Sequence, residues 1–280
     1  MSERWTTIIK PKTGWFDINL KELFQYKDLI TMFVKRDFKT LYKQTILGPL
    51  WIIINPLLTT IMYTIVFGNI ANISTDGMPQ IVFYMLGTTV WTYFSTSLTK
   101  TASTFTANAA ILGKVYFPRL VMPISTVLSG LINFGVQFVM FLLFAIYYYV
   151  KGAPINPNIY ILMIPLLLLQ LALLSLGFGI IISSLTTKYR DLAVLVTFGV
   201  QLWMYATPVV YPASQIGGKL KTLMMLNPVS PIVEAFRYAF LGSGSMPFNF
   251  LLISMITTLI VLLIGVVLFS KVEKTFMDTV

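Results

Sequence analysis

Cysteine and histidine are both absent from the 280 residues. Disulfides and thiolate chemistry are thereby excluded, and so are the usual zinc sites. Charge is scarce too. Asp, Glu, Lys and Arg make up 11% of the chain against 56% hydrophobic residues, a balance foreign to an ordinary soluble globule. The few charges are also unevenly placed. None lies between Lys43 and Asp76, and none falls in 77–99, 120–150, 152–187, 192–218 or 238–270. Each interval holds the roughly 20 apolar residues that cross a hydrocarbon core. The chain therefore reads as a polytopic membrane protein, with six spans predicted near 50–70, 81–99, 120–150, 159–183, 192–210 and 249–270. These runs are too long and apolar for barrel strands, so the spans are helices and the fold class is all-α.

A net charge of +10 raises nucleic acid as a partner, but the placement of the charge points to a membrane. With alternating spans, sixteen of the 20 Lys and Arg fall on one side. Lys151, Lys219, Lys221 and Arg237 fall on the other. This positive-inside bias predicts cytoplasmic N- and C-termini, and no nucleic-acid partner is expected. The start of the chain is charged and polar, so no removed signal peptide is expected. The predicted organisation is a cytoplasmic segment (1–49), a transmembrane domain (50–270) and a cytoplasmic tail (271–280).

Two cytoplasmic stretches carry their own pattern. From Leu20 to Gln44, apolar residues such as Leu23, Phe24, Ile30, Phe33 and Leu41 recur at spacings of three and four. Charged residues of both signs fill most other positions. The pattern predicts an amphipathic helix at the membrane interface. A pure lipid binder needs mainly Lys and Arg, so the mixed charge favours a protein partner. From Lys100 to Arg119 the chain reads KTASTFTANAAILGKVYFPR. A short helix is expected over about 104–113, with Gly113 as its stop and Pro118 a break beyond it.

Neutral polar residues form stripes inside the spans. Asn55, Thr59 and Tyr63 do so in the first, and Tyr84, Thr88, Thr92, Ser95 and Thr99 in the second. Ser125, Ser129, Asn133 and Gln137 do so in the third, and Thr197, Gln201, Tyr205 and Pro208 in the fifth. Such stripes either pack helices together or line a path. An ion carrier would place ionisable groups there, whereas neutral hydroxyls, amides and aromatics suit a sugar chain. Beyond the fifth span, 215–226 and 229–241 read as two short helices broken at Asn227 and Pro228. Glu234 and Arg237 share a face of the second and are placed to pair.

Four stretches taken together resemble the permease subunits of ABC-2 type exporters, closest to the branch for O-antigen, capsular and teichoic acid polysaccharides. They are YKDLITMFVKRDFKTLYKQTILGPLWIIINPL from Tyr26, ANAAILGKVYFPRLVMPIS from Ala107, TKYRDLAVLVTFGVQLWMYATPVVYP from Thr187 and LNPVSPIVEAFRYAFLG from Leu226. The resemblance implies a homodimer in the inner membrane of a bacterium, resting on two copies of a nucleotide-binding ATPase subunit. The substrate would be a polysaccharide on a polyprenyl diphosphate lipid. The chain carries no G-x-x-x-x-G-K-[ST] loop, so this subunit is expected to hold no cofactor and to be no enzyme, with ATP and Mg on the partner. The resemblance further implies an interface helix and a coupling helix meeting that ATPase through Lys35, Arg36, Asp37, Tyr42, Ala109, Ile111, Lys114, Phe117, Pro118 and Arg119. It implies a pathway lined by Asn55, Thr59, Tyr63, Trp91, Gln201, Trp203 and Tyr205. It also implies re-entrant outer gate helices that include Asn227, Pro228, Glu234 and Arg237. The rivals are an ABC-2 exporter of drugs or other lipids and an integral-membrane transferase acting on lipid carriers. A transferase needs paired carboxylates or a base, and no paired-carboxylate cluster stands out.

Overall fold

A computed structural model describes residues 20–42, 48–112, 114–115, 117–186, 189 and 191–275. Among them every regular element is helical. Gln44 and Gly113, expected ends of the two cytoplasmic helices, lie outside the described residues, as do 276–280 of the expected tail and the side chains of Tyr42 and Ala109.

The amphipathic segment forms two helices, α1 (Leu20–Gln25) and α2 (Lys27–Tyr42). The first span is α3 (Trp51–Tyr63), prolonged by a π-helical turn over Thr64–Ile70. Pro56 sits inside it, where it removes one backbone hydrogen bond. The second span is α4 (Gln80–Ala102). The expected coupling helix divides into α5 (Thr104–Ala107) and α6 (Ala109–Leu112). Asn108 breaks it, its Nδ2 donating to the Thr104 carbonyl at 3.0 Å and so competing with the helical ladder. Then come α7 (Val121–Val150) and α8 (Ile164–Thr186), the latter led in by a 3₁₀ turn at Ile159–Met163. Next are α9 (Leu192–Tyr205), α10 (Gly218–Leu226), α11 (Ser230–Leu241) and α12 (Phe248–Thr275).

Among the described residues, four segments are long and apolar enough to cross a membrane: Trp51–Ile70, Val121–Val150, Ile159–Thr186 and Phe248–Val272. The other two expected spans differ for physical reasons. α4 has span length, but its neighbours cover it. Every residue from Val82 to Trp91 is buried, so its side chains meet protein rather than lipid. α9 is shorter than the expected 192–210. Pro208 cannot continue a helix, and the residue before a proline is pushed out of helical geometry, so the helix stops at Tyr205.

α4 is the axis of the bundle. It packs against α7, α8, α3, α9 and α11, while α12 covers the far side of α8 and α2 lies against α7. α8 and α12 approach closely. A Cβ on Gly265 would stand 2.8 Å from the Gly177 carbonyl oxygen and 2.7 Å from Ile180 Cγ1. Small residues that let helix backbones touch are a common device where lipid supplies no hydrophobic drive between helices. The hydroxyls of the polar stripes mostly turn back on their own helix, as Ser125 Oγ does to the Met122 carbonyl and Thr197 Oγ1 to that of Ala193. We expect Gly265→Ala to separate α8 from α12 and to cost about 1–3 kcal/mol, measured as a lower Tm of the detergent-purified protein.

Candidate functional site

Three groups of residues link elements that are distant in sequence. The first lies where α2 and the segment after α4 meet the ends of α7, α8 and α12. Phe33 of α2 is 4% exposed, and its ring lies 5.9 Å from that of Phe117. Phe105 of α5 stacks on Phe269 of α12 at 4.6 Å. With Val121, Met122 and Ile180 these residues form one apolar cluster, against which Tyr26, Leu29, Ile30 and Ile111 pack. The amphipathic face of α2 is thus spent on protein, and the segment after α4 is its counterpart.

The polar face of α2 carries Lys35, exposed, and the adjacent pair Arg36 and Asp37, which bridge to each other at 2.8 Å. The Arg36 guanidinium stands over the Phe33 ring at 4.8 Å, and Asp37 Oδ2 lies 3.4 Å from Ser129 Oγ of α7. An open groove of about 620 Å³ runs beside Asp28, Thr31, Lys35, Arg36, Lys39 and Thr40. Of the other expected ATPase contacts, Lys114 is exposed, Ile111, Pro118 and Arg119 are half-buried, and Phe117 is buried. Phe117 packs within the chain, in the cluster just described.

The second group is in the middle of the bundle. Trp203 of α9 meets three rings edge-on, those of Trp91, Phe94 and Phe178, at 6.4, 5.3 and 5.2 Å. Tyr63 of α3 donates to Met204 Sδ at 3.4 Å. The structure thus brings Tyr63, Trp91 and Trp203 into one region. Trp91 is buried, whereas Asn55, Thr59, Gln201 and Tyr205 are exposed on the free faces of α3 and α9. Both helices are exceptionally uncovered: Thr60 is the buried residue of α3 and Val200 that of α9. The stripes of the second and third spans are by contrast largely internal, with Tyr84, Thr88, Ser125 and Gln137 buried.

The third group lies around the end of α9 and α11. Because α9 stops early, the carbonyls of Val209 and Tyr211 have no helical donors, in a stretch where Val209 and Val210 are buried. Arg237 of α11, wholly buried, supplies them. Its guanidinium donates to both carbonyls, and Nη1 bridges to Glu234 Oε1 at 2.9 Å. Its Cζ lies 3.8 Å from the centroid of the Phe83 ring, a cation–π seat for a charge that is costly to bury. A Cβ on Gly87 would stand 2.7 Å from the Val209 carbonyl, so α4 needs glycine there. The pairing of Glu234 with Arg237 was legible in their spacing. Their role as donors to an unwound stretch was not.

Asp76 was not expected at a site either. It adopts a left-handed φ of +52° in the turn between α3 and α4. Its carboxylate accepts from Ser214 Oγ at 2.7 Å and from Ser243 Oγ at 3.3 Å. It thereby ties the end of the first span to the chain on both sides of α10 and α11. A lone acidic residue in an outer turn was the available signal. Asn227, expected at the gate, is a junction: Trp203 Nε1 donates to its Oδ1 at 2.9 Å, and its Nδ2 donates to Thr207 Oγ1 at 2.8 Å. Pro228 lends its carbonyl to Ser254 Oγ at 2.6 Å, and Ser254 accepts from Gln170 Nε2 at 2.7 Å. Among the described residues no cluster of Asp and Glu is placed to hold a metal.

Residues 28–241 match the family described as ABC-2 type transporter. The chain is 29% identical over 261 residues to an O-antigen export system permease protein RfbA of Klebsiella pneumoniae, covering 93% of this chain and 96% of that protein. It is 31% identical over 224 residues to a protein of the same name from Myxococcus xanthus, covering 79% of this chain and 83% of that one.

Removing one member of a buried ion pair leaves the other uncompensated. Arg237→Met is expected to destabilise the purified protein by about 3–5 kcal/mol, and Glu234→Leu with Arg237→Met by less. Thermal unfolding of the two variants in the same detergent checks the order.

Proposed function

The chain belongs to the ABC-2 type transporter family, and on that premise we propose that it is the membrane-spanning permease subunit of an ATP-driven polysaccharide exporter. The observation that carries this reading is likeness over 93% of the chain to a permease named for O-antigen export. The substrate class is drawn from that likeness and is supported by the neutral polar and aromatic residues on the uncovered faces of α3 and α9, which offer hydrogen bonds and ring faces but no fixed charge. The cargo is a polysaccharide on a polyprenyl diphosphate lipid, carried across the inner membrane of a bacterium.

Two copies of this chain and two ATPase subunits make up the working unit, with both termini of the permease on the cytoplasmic side. ATP and Mg belong to the ATPase. Its closure would push on the surface formed by α2, α5 and α6. The cluster of Phe33, Phe105, Phe117 and Phe269 supports such a transmission, because it fuses that surface to the inner ends of α7, α8 and α12. The uncovered faces of α3 and α9 would meet the second copy and line the path, with Asn55, Thr59, Gln201 and Tyr205 toward the polymer. α10 and α11 would close its outer mouth. A membrane transferase is the weaker reading, since Asp37 and Glu234, two of the few carboxylates available, are both engaged by arginines.

Copurification with an ATPase encoded beside this chain, followed by ATP hydrolysis in nanodiscs with and without the lipid-linked polymer, tests the reading. A rate that responds to polymer supports it, and failure to form any such complex removes it. Within the complex, Phe117→Ala with Arg119→Ala is expected to leave ATP hydrolysis running while export falls by about tenfold, equivalent to roughly 1.4 kcal/mol of lost coupling. Export at the parental rate would overturn the transmission path.

A further inference from the structure

We propose that Asn227 is a positioning residue through which α9 sets the seating of α10, making α10 the moving flap of the outer gate and Asn227 its hinge. The proposal rests on the exporter reading only for what drives the motion. The hinge itself is argued from contacts.

α10 and α11 differ sharply in how they are held. α11 is buried along almost its whole length. In α10 two side chains are buried, Met224 and Met225 at its far end, in a small cluster with Ala213. The remaining residues of α10 face outward. The helix therefore has little apolar burial to hold it down and is attached at one end, where Asn227 follows.

The side chain of Asn227 satisfies all of its hydrogen-bonding capacity at that end. Oδ1 accepts from Trp203 Nε1 at 2.9 Å and from the Val229 N–H at 3.2 Å. Nδ2 donates to Thr207 Oγ1 at 2.8 Å and to the Ala206 carbonyl at 3.2 Å. Three of the four bonds go to the outer end of α9, itself a weakly covered helix. The next residue, Pro228, is fixed to α12 and α8 through Ser254 and Gln170. One side of the hinge is thus anchored to the body of the bundle, and the other follows α9. A shift of α9 that draws the Trp203 indole away from Asn227 would free the turn and let α10 lift.

The chain has no cysteine, so Met225→Cys introduces a single thiol, at a position 4% exposed while α10 is seated. Its rate of reaction with a membrane-impermeant maleimide reports lifting of the flap. Trp203→Phe keeps an aromatic ring, though a smaller one, among Trp91, Phe94 and Phe178 and removes the Nε1–H donor. In the Met225→Cys background it is expected to raise the labelling rate about fivefold, the factor one hydrogen bond supports. Asn227→Ala is expected to raise it at least as much, and the double variant no further than Asn227→Ala alone, because both remove the same bond. Two unrelated structural lesions would instead multiply. Trp203→Phe labelling at the parental rate, or multiplying effects, overturns the proposal. With the ATPase present, a non-hydrolysable ATP analogue is expected to change the rate in the parent and not in Trp203→Phe. A parent that ignores nucleotide overturns the exporter reading, while the nucleotide-free rates still decide the hinge.

Discussion

A hydrocarbon layer offers no hydrogen bonds, and every polar group placed in it has to find its partner within the protein. Most of this molecule meets that demand in the simplest way, inside single helices. Backbone groups pair four residues apart, and many of the serine and threonine hydroxyls fold back on carbonyls of their own helix. The informative places are those where a helix stops before the membrane does. There the partners come from elsewhere in the chain, and each one ties two elements together. Arg237 is the clearest case, a buried cation whose donors are matched to carbonyls that an early helix end has left open.

The same demand divides the bundle into a covered body and an uncovered pair. α4, α7, α8, α11 and α12 bury one another and touch through small residues. α3 and α9 lean against this body on one side and leave most of their surface free. They also carry the irregularities: Pro56 and a π-helical turn in α3, and an early stop at Pro208 after α9. Extra or missing turns of this kind let a helix rotate or bend without breaking the bundle. The body resists deformation, and the outer pair is where deformation is cheap.

Much of this was legible from the sequence because the hydrophobic pattern acts locally. The charge gaps marked the helices to within a few residues, except where Pro208 ended α9. The i, i+3 spacing of Glu234 and Arg237 foretold their pairing. The periodicity of 20–44 foretold a helix with one apolar face, but not that Phe33 would meet Phe117 and not lipid. That contact, like Asp76 with Ser214 or Trp203 with Asn227, joins residues far apart in the chain, and no local pattern encodes it. The coupling segment, expected as one helix, divides at Asn108, whose side chain competes for the Thr104 carbonyl, and that break leaves no mark in the apolar spacing.

The burial of α4 has a consequence for how the protein is made. Its neighbours, not its own side chains, make it compatible with the bilayer, and it is the least lipid-like of the long helices. Two of its partners, α7 and α8, are synthesised after it. When α4 leaves the ribosome it has α3 beside it and little else, so its transfer into lipid on its own is weakly favoured. Stable membrane integration then becomes a late, cooperative event, one that waits on the C-terminal half of the chain.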